Sequence, residues 1–327
     1  MAAKSVKTIG VLTSGGDAPG MNACVRSVVR TAIHEGLKVK GIMRGYAGLL
    51  QEEIVDMDTT SVSDTISHGG TILYTARCME FTTPEGQQRG AEICRKHGID
   101  GIVVVGGDGS FRGGVELAKR GIKVMGVPGT IDNDLGYTDY TIGFDTAVNT
   151  ILGLITNIRD TSSSHERSTI IEVMGRHCGD LALHSGIAGG ADVILVPEVE
   201  CDINEICRRV LEGQATGKGH SLIVMAEGFD MDSSELAKTL EEMTGREART
   251  VVPGYIQRGG SPTEKDRLIA TMTAAKAVDL LYDDEDSKAV GVFNGKVVAM
   301  DLQEALEVKG EFNRDLYDLA NVLGKGR

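Results

Sequence analysis

The sequence predicts an α/β protein of two doubly wound lobes with mostly parallel sheets, sharing an active-site cleft at the strand C-terminal ends. Three observations lead there. Short β-branched runs alternate with longer segments that carry apolar residues at helical spacing. The short runs are nearly continuously apolar, as strands covered on both faces are. Glycine marks many junctions, and 43 of the 327 residues are Gly, well above the usual share of about 7%.

Taken in order, KTIGVLT, LKVKGIM, DGIVVVGG and GIKVMGVPG read as strands. Between them MNACVRSVVRTAIHEG, PEGQQRGAEICRKHG and FRGGVELAKRG read as helices, each closing on a glycine suited to the C′ position. Pro84 opens the second of these helices, where its missing N–H costs nothing. FDTAVNTILGLITNIRDTSSSHE is a long helix running into a polar loop, which puts a boundary near residue 144. The alternation then repeats, with STIIEVMG, DVILVPE, SLIVMAEG and RTVVPGY as strands and GDLALHSGIAGG, INEICRRVLEGQATG and SSELAKTLEEMTG between them. A helix EKDRLIATMTAAKAVDLLYD, a strand AVGVFNGKVVAM and two short helices complete the chain.

Composition removes several functions. A formal net charge of −13 argues against nucleic acid as a partner, which needs a basic face. Small anions are still admissible where arginines concentrate locally. Cys24, Cys78, Cys94, Cys178, Cys201 and Cys207 form no CxxC pair and no zinc spacing, so they read as thiols of a reducing compartment. No apolar run approaches the 18 or so residues that span a bilayer, and the N-terminus shows no signal-peptide core. The expected location is cytoplasmic, with no membrane partner.

The polar, glycine-rich strings all fall at strand ends: SGGDAPG, GGDGS, PGTIDND, MGRHCGD, AEG and GYIQRGG. Ligands of open parallel sheets bind there. Glycine pairs bring backbone N–H groups close to a ligand, and a helix starting just after favours an anion. A tight turn binding nothing is the alternative for a single GGD. The P-loop pattern and the dinucleotide fingerprint are both absent. Asp108 stands beside the second cradle, either as a magnesium ligand or as a helix cap. Asp132 and Asp134 alternate after a strand; in an extended segment both carboxylates face one way, and mutual repulsion suits one to accepting a proton. A polar surface turn is the other reading of that string. Arg77, Arg167, Arg176, Arg249 and Arg258 flank these motifs, and the planar guanidinium matches phosphate oxygens. His68, His165, His177 and His220 share no ligand spacing, and no GxSxG elbow occurs.

PGTIDND, MGRHCGD and IQRGGSP, in this order, resemble bacterial ATP-dependent 6-phosphofructokinases, and the likeness extends over essentially the whole chain. The resemblance implies phosphoryl transfer from ATP to the 1-hydroxyl of fructose 6-phosphate, a step of glycolysis. It implies a larger ATP-binding lobe over residues 1–143 plus about 257–306, and a smaller sugar-phosphate lobe over 144–256 plus about 307–327. Gly16, Tyr46, Arg77, Cys78, Gly107, Asp108, Gly109 and Ser110 would line the ATP site, with Asp108 holding Mg2+. Asp132 would be the general base, assisted by Thr130 and Asp134, with Arg77 and Arg176 steadying the moving phosphoryl group. Thr130, Ile131, Asp132, Met174, Gly175, Arg176, Glu227, Tyr255, Ile256, Gln257 and Arg258 would hold the sugar phosphate. Arg167 and Arg249 would reach its 6-phosphate from a neighbouring subunit of a homotetramer.

Three departures from the family pattern matter. Tyr255 replaces the usual His before IQRGGSP, so it cannot carry a positive charge near neutral pH. The family's effector site matches at Arg26, Arg30, Arg159, Lys218 and His220, but Thr59, Thr216 and Gly219 replace basic residues. Asp192 stands for a metal-binding Glu. A less basic pocket predicts feeble response to ADP or phosphoenolpyruvate. Gly109 and Gly129 stand where diphosphate-using relatives carry Asp and Lys, which favours ATP. The alternatives are a diphosphate-dependent phosphofructokinase and a non-catalytic sugar-phosphate or nucleotide sensor. A sensor should have lost Asp132 or Asp108, and this chain keeps both. NAD or lipid kinases leave MGRHCGD and IQRGGSP unexplained, and an NAD-linked oxidoreductase lacks its fingerprint.

Overall fold

The computed structural model describes residues 6–324. The first five positions of the N-terminal stretch considered above lie outside them. In chain order, β1 (Thr8–Thr13), α1 (Met21–His34), β2 (Lys38–Ile42), α2 (Gly45–Leu50) and β3 (Ile54–Met57) come first. Then follow α3 (Pro84–Lys96), β4 (Gly101–Gly106), α4 (Asp108–Ala118), β5 (Lys123–Thr130) and the two-residue β6 (Ile142–Gly143). α5 (Phe144–Ser164) leads into β7 (Ser168–Val173), α6 (Asp180–Ala188), β8 (Val193–Leu195), α7 (Ile203–Ala215), β9 (Ser221–Ala226), α8 (Ser233–Thr244) and β10 (Ala248–Val251). The chain closes with α9 (Glu264–Tyr282), β11 (Lys288–Phe293), β12 (Lys296–Asp301), α10 (Leu302–Glu307) and α11 (Arg314–Leu323).

Two compact units result. Unit 1 takes the chain up to Thr146 together with Arg258–Gly310; unit 2 takes Ala147–Gln257 and the chain from Glu311 onward. The sheet of unit 1 has the order β12-β11-β5-β4-β1-β2-β3, with β6 paired to β5. Its inner strands are parallel, whereas β3 and β12 run antiparallel at the two edges. The sheet of unit 2 has the order β10-β7-β9-β8 and is wholly parallel. Each sheet has its own core. Leu12, Ile42, Ile102, Val104, Phe111 and Val124 pack in unit 1, and Ile170, Leu195, Ile223, Leu236 and Leu240 in unit 2.

Local chemistry explains the boundaries. Thr83 caps α3 by accepting the Gly86 N–H at 3.1 Å, with Pro84 as first helical residue. The N-cap of α1 is Gly20, whose φ of 107° favours glycine, and a Cβ there would stand 2.6 Å from Ile142. Three sequence expectations change. AVGVFNGKVVAM is two strands, because Asn294 and Gly295 both take positive φ (50° and 71°) in the hairpin turn that this dipeptide favours. RTVVPGY stops being a strand at Val251, two residues short of Pro253, which has no N–H for a ladder. The stretch after β2 holds α2 and the edge strand β3, for which no periodic signal was read.

Candidate active site

The parallel register of unit 1 brings three strand ends side by side. Thr13 pairs with Val105 and Gly106 with Pro128, so β1, β4 and β5 finish at one edge of the sheet. The Ser14 N–H extends this order by donating to the Val105 carbonyl at 2.9 Å. The three motifs that follow the strands open into one cavity of about 690 Å3. Gly16, Tyr46, Arg77, Cys78, Gly107, Asp108, Gly109, Ser110, Thr130, Ile131, Asp132, Asp134 and Arg258 all line it. Every lining residue belongs to unit 1.

Within the cavity the glycines answer to specific neighbours. A Cβ on Gly16 would meet the Arg258 guanidinium at 3.1 Å, so the side-chain-free backbone is what lets that cation lie against the SGGD turn. Gly107 is the N-cap of α4 and Asp108 its first residue. Free N–H groups of that first turn therefore face the cavity with the positive end of the helix dipole. Asp108 does not cap the helix. Its carboxylate takes both contacts of Arg112, one turn on, at 2.8 Å (Nε to Oδ2) and 3.1 Å (Nη2 to Oδ1). Asp108 in turn pushes the Arg112 guanidinium above even its ordinary high pKa.

Asp132 and Asp134 do not alternate along an extended strand, as their spacing predicts. β5 ends at Thr130, and Asn133 takes φ 55°, which breaks the two-residue period. The Asn133 side-chain oxygen Oδ1 accepts the Thr141 N–H at 3.0 Å, and the Thr141 hydroxyl donates to the Thr130 backbone carbonyl at 2.7 Å. The loop is thus folded back onto β5, where β6 pairs with Gly129 and Thr130. The Asp132 N–H donates to the Thr130 hydroxyl at 3.2 Å, which fixes the start of the turn. Both aspartates still face the cavity.

Tyr46 closes one wall. Its hydroxyl donates to the Ser110 carbonyl at 2.6 Å, and its ring stacks on Phe81 with centroids 4.2 Å apart. Burial, with the Cys94 thiol nearby, pushes the phenol far above its usual pKa and keeps it a neutral donor. Among the cavity-lining residues, Met79, Phe81, Thr82, Gln87, Arg112, Gly113 and Glu116 were not among the sequence candidates. Gln87 and Arg112 lie inside helices that read as ordinary amphipathic segments, so spacing gave them no distinction.

The remaining expected residues belong to unit 2. Met174 and Gly175 follow β7; Gly175 has φ 122°, and a Cβ there would strike the Cys178 carbonyl at 2.4 Å. The Met174 N–H donates to the side-chain oxygen of the buried Gln257 at 3.0 Å. The Glu227 N–H, at the end of β9, donates to the Val173 carbonyl at 2.8 Å, so Glu227 and the MGR turn are neighbours. Arg176, Tyr255 and Ile256 are exposed. Arg249 is exposed too and pairs with Glu247 at 2.6 Å, whereas the Nε of Arg167 is buried.

The proposed effector residues separate by unit. Arg26 and Arg30 lie on α1 of unit 1, and Arg30 reaches the Thr59 carbonyl at 3.5 Å. Arg159, Asp192, Lys218 and His220 gather in unit 2. Lys218 pairs with Asp192, and Arg159 donates to the carbonyls of Gly189 and Gly190. Arg246 joins them by donating to the Lys218 and Gly219 carbonyls. Burial first, then the Lys218 cation, lowers the His220 pKa below its usual value.

The phosphofructokinase family model matches residues 8–281. The chain belongs to the phosphofructokinase family. The ATP-dependent 6-phosphofructokinase of Clostridium botulinum is 56% identical over 320 residues, covering 98% of this chain and all of that one. The Clostridium acetobutylicum enzyme of the same name is 57% identical over the same length. Among solved structures, phosphofructokinase from Saccharomyces cerevisiae matches with a TM-score of 0.90 and 33% identity, over 96% of this chain and 50% of that longer one. A pyrophosphate-dependent phosphofructokinase from Marinobacter aquaeolei matches at TM-score 0.84 and 23% identity, covering 98% of this chain and 92% of that one, which shows the shared fold alone.

The phosphofructokinase cavity also fits magnesium. Among the described residues no three Asp, Glu, His or Cys side chains gather as a metal cage. A nucleotide-bound Mg2+ needs none, since one or two carboxylates suffice when phosphates supply other oxygens. Asp108, at the mouth of the α4 N-terminus, is the carboxylate so placed.

Proposed function

We propose that the protein is an ATP-dependent 6-phosphofructokinase, which transfers the γ-phosphoryl group of ATP to the 1-hydroxyl of fructose 6-phosphate. One observation carries this reading: Asp108 at the start of α4 and Asp132 past β5 line the same cavity as the glycine turns. Full-length identity with ATP-dependent relatives supports the donor and the acceptor.

ATP would lie with its phosphates along the first turn of α4, taking N–H groups of Gly107 to Gly109 beside the Ser110 side chain. Its base would pack toward Tyr46 and Phe81. Mg2+, held by Asp108, would screen the β- and γ-phosphates. Asp132 accepts the proton of the 1-hydroxyl as the sugar oxygen bonds to the γ-phosphorus and the bond to the β-phosphate oxygen breaks. Thr130 and Asp134 set the position of Asp132, and Arg77 with Arg176 offset the charge of the group in flight. Met174, Gly175, Arg176, Glu227, Tyr255, Ile256, Gln257 and Arg258 would hold the sugar phosphate. Arg167 and Arg249 would reach its 6-phosphate from a neighbouring subunit, in a homotetramer.

Regulation by ADP or phosphoenolpyruvate is expected to be feeble. Lys218 is paired with Asp192, and Arg159 and Arg246 donate to backbone carbonyls, which leaves fewer free donors for an anion. A cytoplasmic location accords with the chemistry, and among the described residues no helix is long and apolar enough to cross a membrane.

Phosphorus NMR of the full chain with Mg2+, ATP and fructose 6-phosphate tests the proposal. Equal amounts of ADP and fructose 1,6-bisphosphate are expected. Release of inorganic phosphate without a bisphosphate would overturn it.

A further inference from the structure

Arg112 lines the cavity and is paired with the proposed metal ligand itself. The contact is bidentate, so without a metal both Asp108 oxygens are occupied by the guanidinium. The pair is also exchangeable. The Arg112 and Asp108 side chains are 65% and 43% exposed, and an i,i+4 pair in such a setting contributes little to folding. Its position is less ordinary. An aspartate in the first turn of α4 places a negative charge where a polyphosphate is expected to lie, and an uncompensated carboxylate there repels any nucleotide that arrives without a metal.

Building on the ATP-site reading above, we propose that Arg112 is a positioning residue that masks Asp108 until the metal takes its place, and so allows metal-free ATP into the cavity. Asp108 exchanges Arg112 for the metal when the nucleotide comes as its magnesium complex. The released guanidinium still lines the same cavity. The consequence is a site that admits both forms of the nucleotide, with metal-free ATP as an unproductive competitor of the magnesium complex.

Isothermal titration of the full-length protein, once with ATP in excess EDTA and once with ATP in excess Mg2+, separates the alternatives. Arg112→Gln should weaken metal-free ATP roughly tenfold, the scale of one unmasked charge near a protein surface, and MgATP by under about threefold. Arg112→Lys, which keeps the charge, should restore most of the metal-free affinity. Asp108→Asn combined with Arg112→Gln should bind metal-free ATP about as well as the parent protein, because nothing is then left to mask. Equal weakening of both forms by Arg112→Gln, no change in either, or a double variant no better than Arg112→Gln would overturn the masking role while leaving the ATP site intact. Failure of the parent protein to bind MgATP would overturn the ATP-site reading, and the masking role with it.

Discussion

In unit 1 the residues proposed to meet the nucleotide and its reacting group are mainly glycines, a serine and aspartates at the ends of three adjacent strands, and they line one cavity. In unit 2 the residues proposed to meet the sugar phosphate are mostly exposed side chains, and Arg249 is already paired with a neighbouring carboxylate. The backbone of the first arrangement is fixed by the sheet register, so its glycine turns stand ready before a ligand arrives. The second depends on long side chains, one of which must leave a present partner, so its geometry is set largely by the ligand. Damage should therefore differ in kind: added bulk or charge harms the glycine turns of unit 1, and lost charge harms the arginines of unit 2.

The largest expected effect is on Asp132. Asp132→Asn should lower kcat by roughly 10^2- to 10^4-fold, the usual worth of a positioned base, with ATP affinity little changed in a parallel titration. A variant retaining most of its turnover would remove Asp132 from that role.

Next comes the ordering of the loop beyond β5. The Asp266 carboxylate is fully buried and accepts the Gly143 N–H at 2.8 Å, the Thr146 N–H at 2.8 Å and the Thr146 hydroxyl at 2.5 Å. Asp266→Ala leaves those buried donors without an acceptor and should destabilise unit 1 by about 3 kcal/mol. Urea unfolding followed by hydrogen exchange should place the loss in unit 1; loss confined to unit 2 contradicts the assignment.

Gly109 isolates charge from space. A Cβ there meets nothing within 4 Å, so Gly109→Asp should fold normally. Its carboxylate should nevertheless raise KM for ATP about tenfold by repelling the phosphates. By contrast, a side chain at Gly129 would press on Val105 at 3.0 Å and Met21 at 3.1 Å, so lysine there demands local rearrangement.

The smallest effect belongs to His220 of unit 2. Its folded-state pKa is lowered, so the unfolded chain takes up the proton first. Its contribution is present above the usual histidine value of 6.5 and is lost as pH falls below it. Melting temperatures of the parent protein and His220→Gln should then diverge, the parent losing more between pH 7.5 and 5.5 (a range chosen around that value). Parallel curves would show that His220 is not held neutral.

The central strands of both sheets were legible because each apolar run is bounded by glycine or a helix start. The cavity of unit 1 was legible for the same reason: its residues sit at strand ends, and strand ends announce themselves. Arg112 and Gln87 were not, since a helix pattern marks which face is polar but not which polar residue turns to a cavity. The fold of the PGTIDND loop also escaped, because the Asn133 turn depends on a hydrogen bond to Thr141, eight residues away. The hairpin at Asn294–Gly295 carried a usable signal in that dipeptide, which the apolar flanks obscured.

The most direct test of the account is the choice of phosphoryl donor. Steady-state rates with saturating fructose 6-phosphate and Mg2+, measured with ATP and with diphosphate, should favour ATP in kcat/KM by at least about a hundredfold, since the site leaves open space at Gly109 for a nucleotide. A higher kcat/KM with diphosphate would contradict the ATP site built here on β1, β4 and β5.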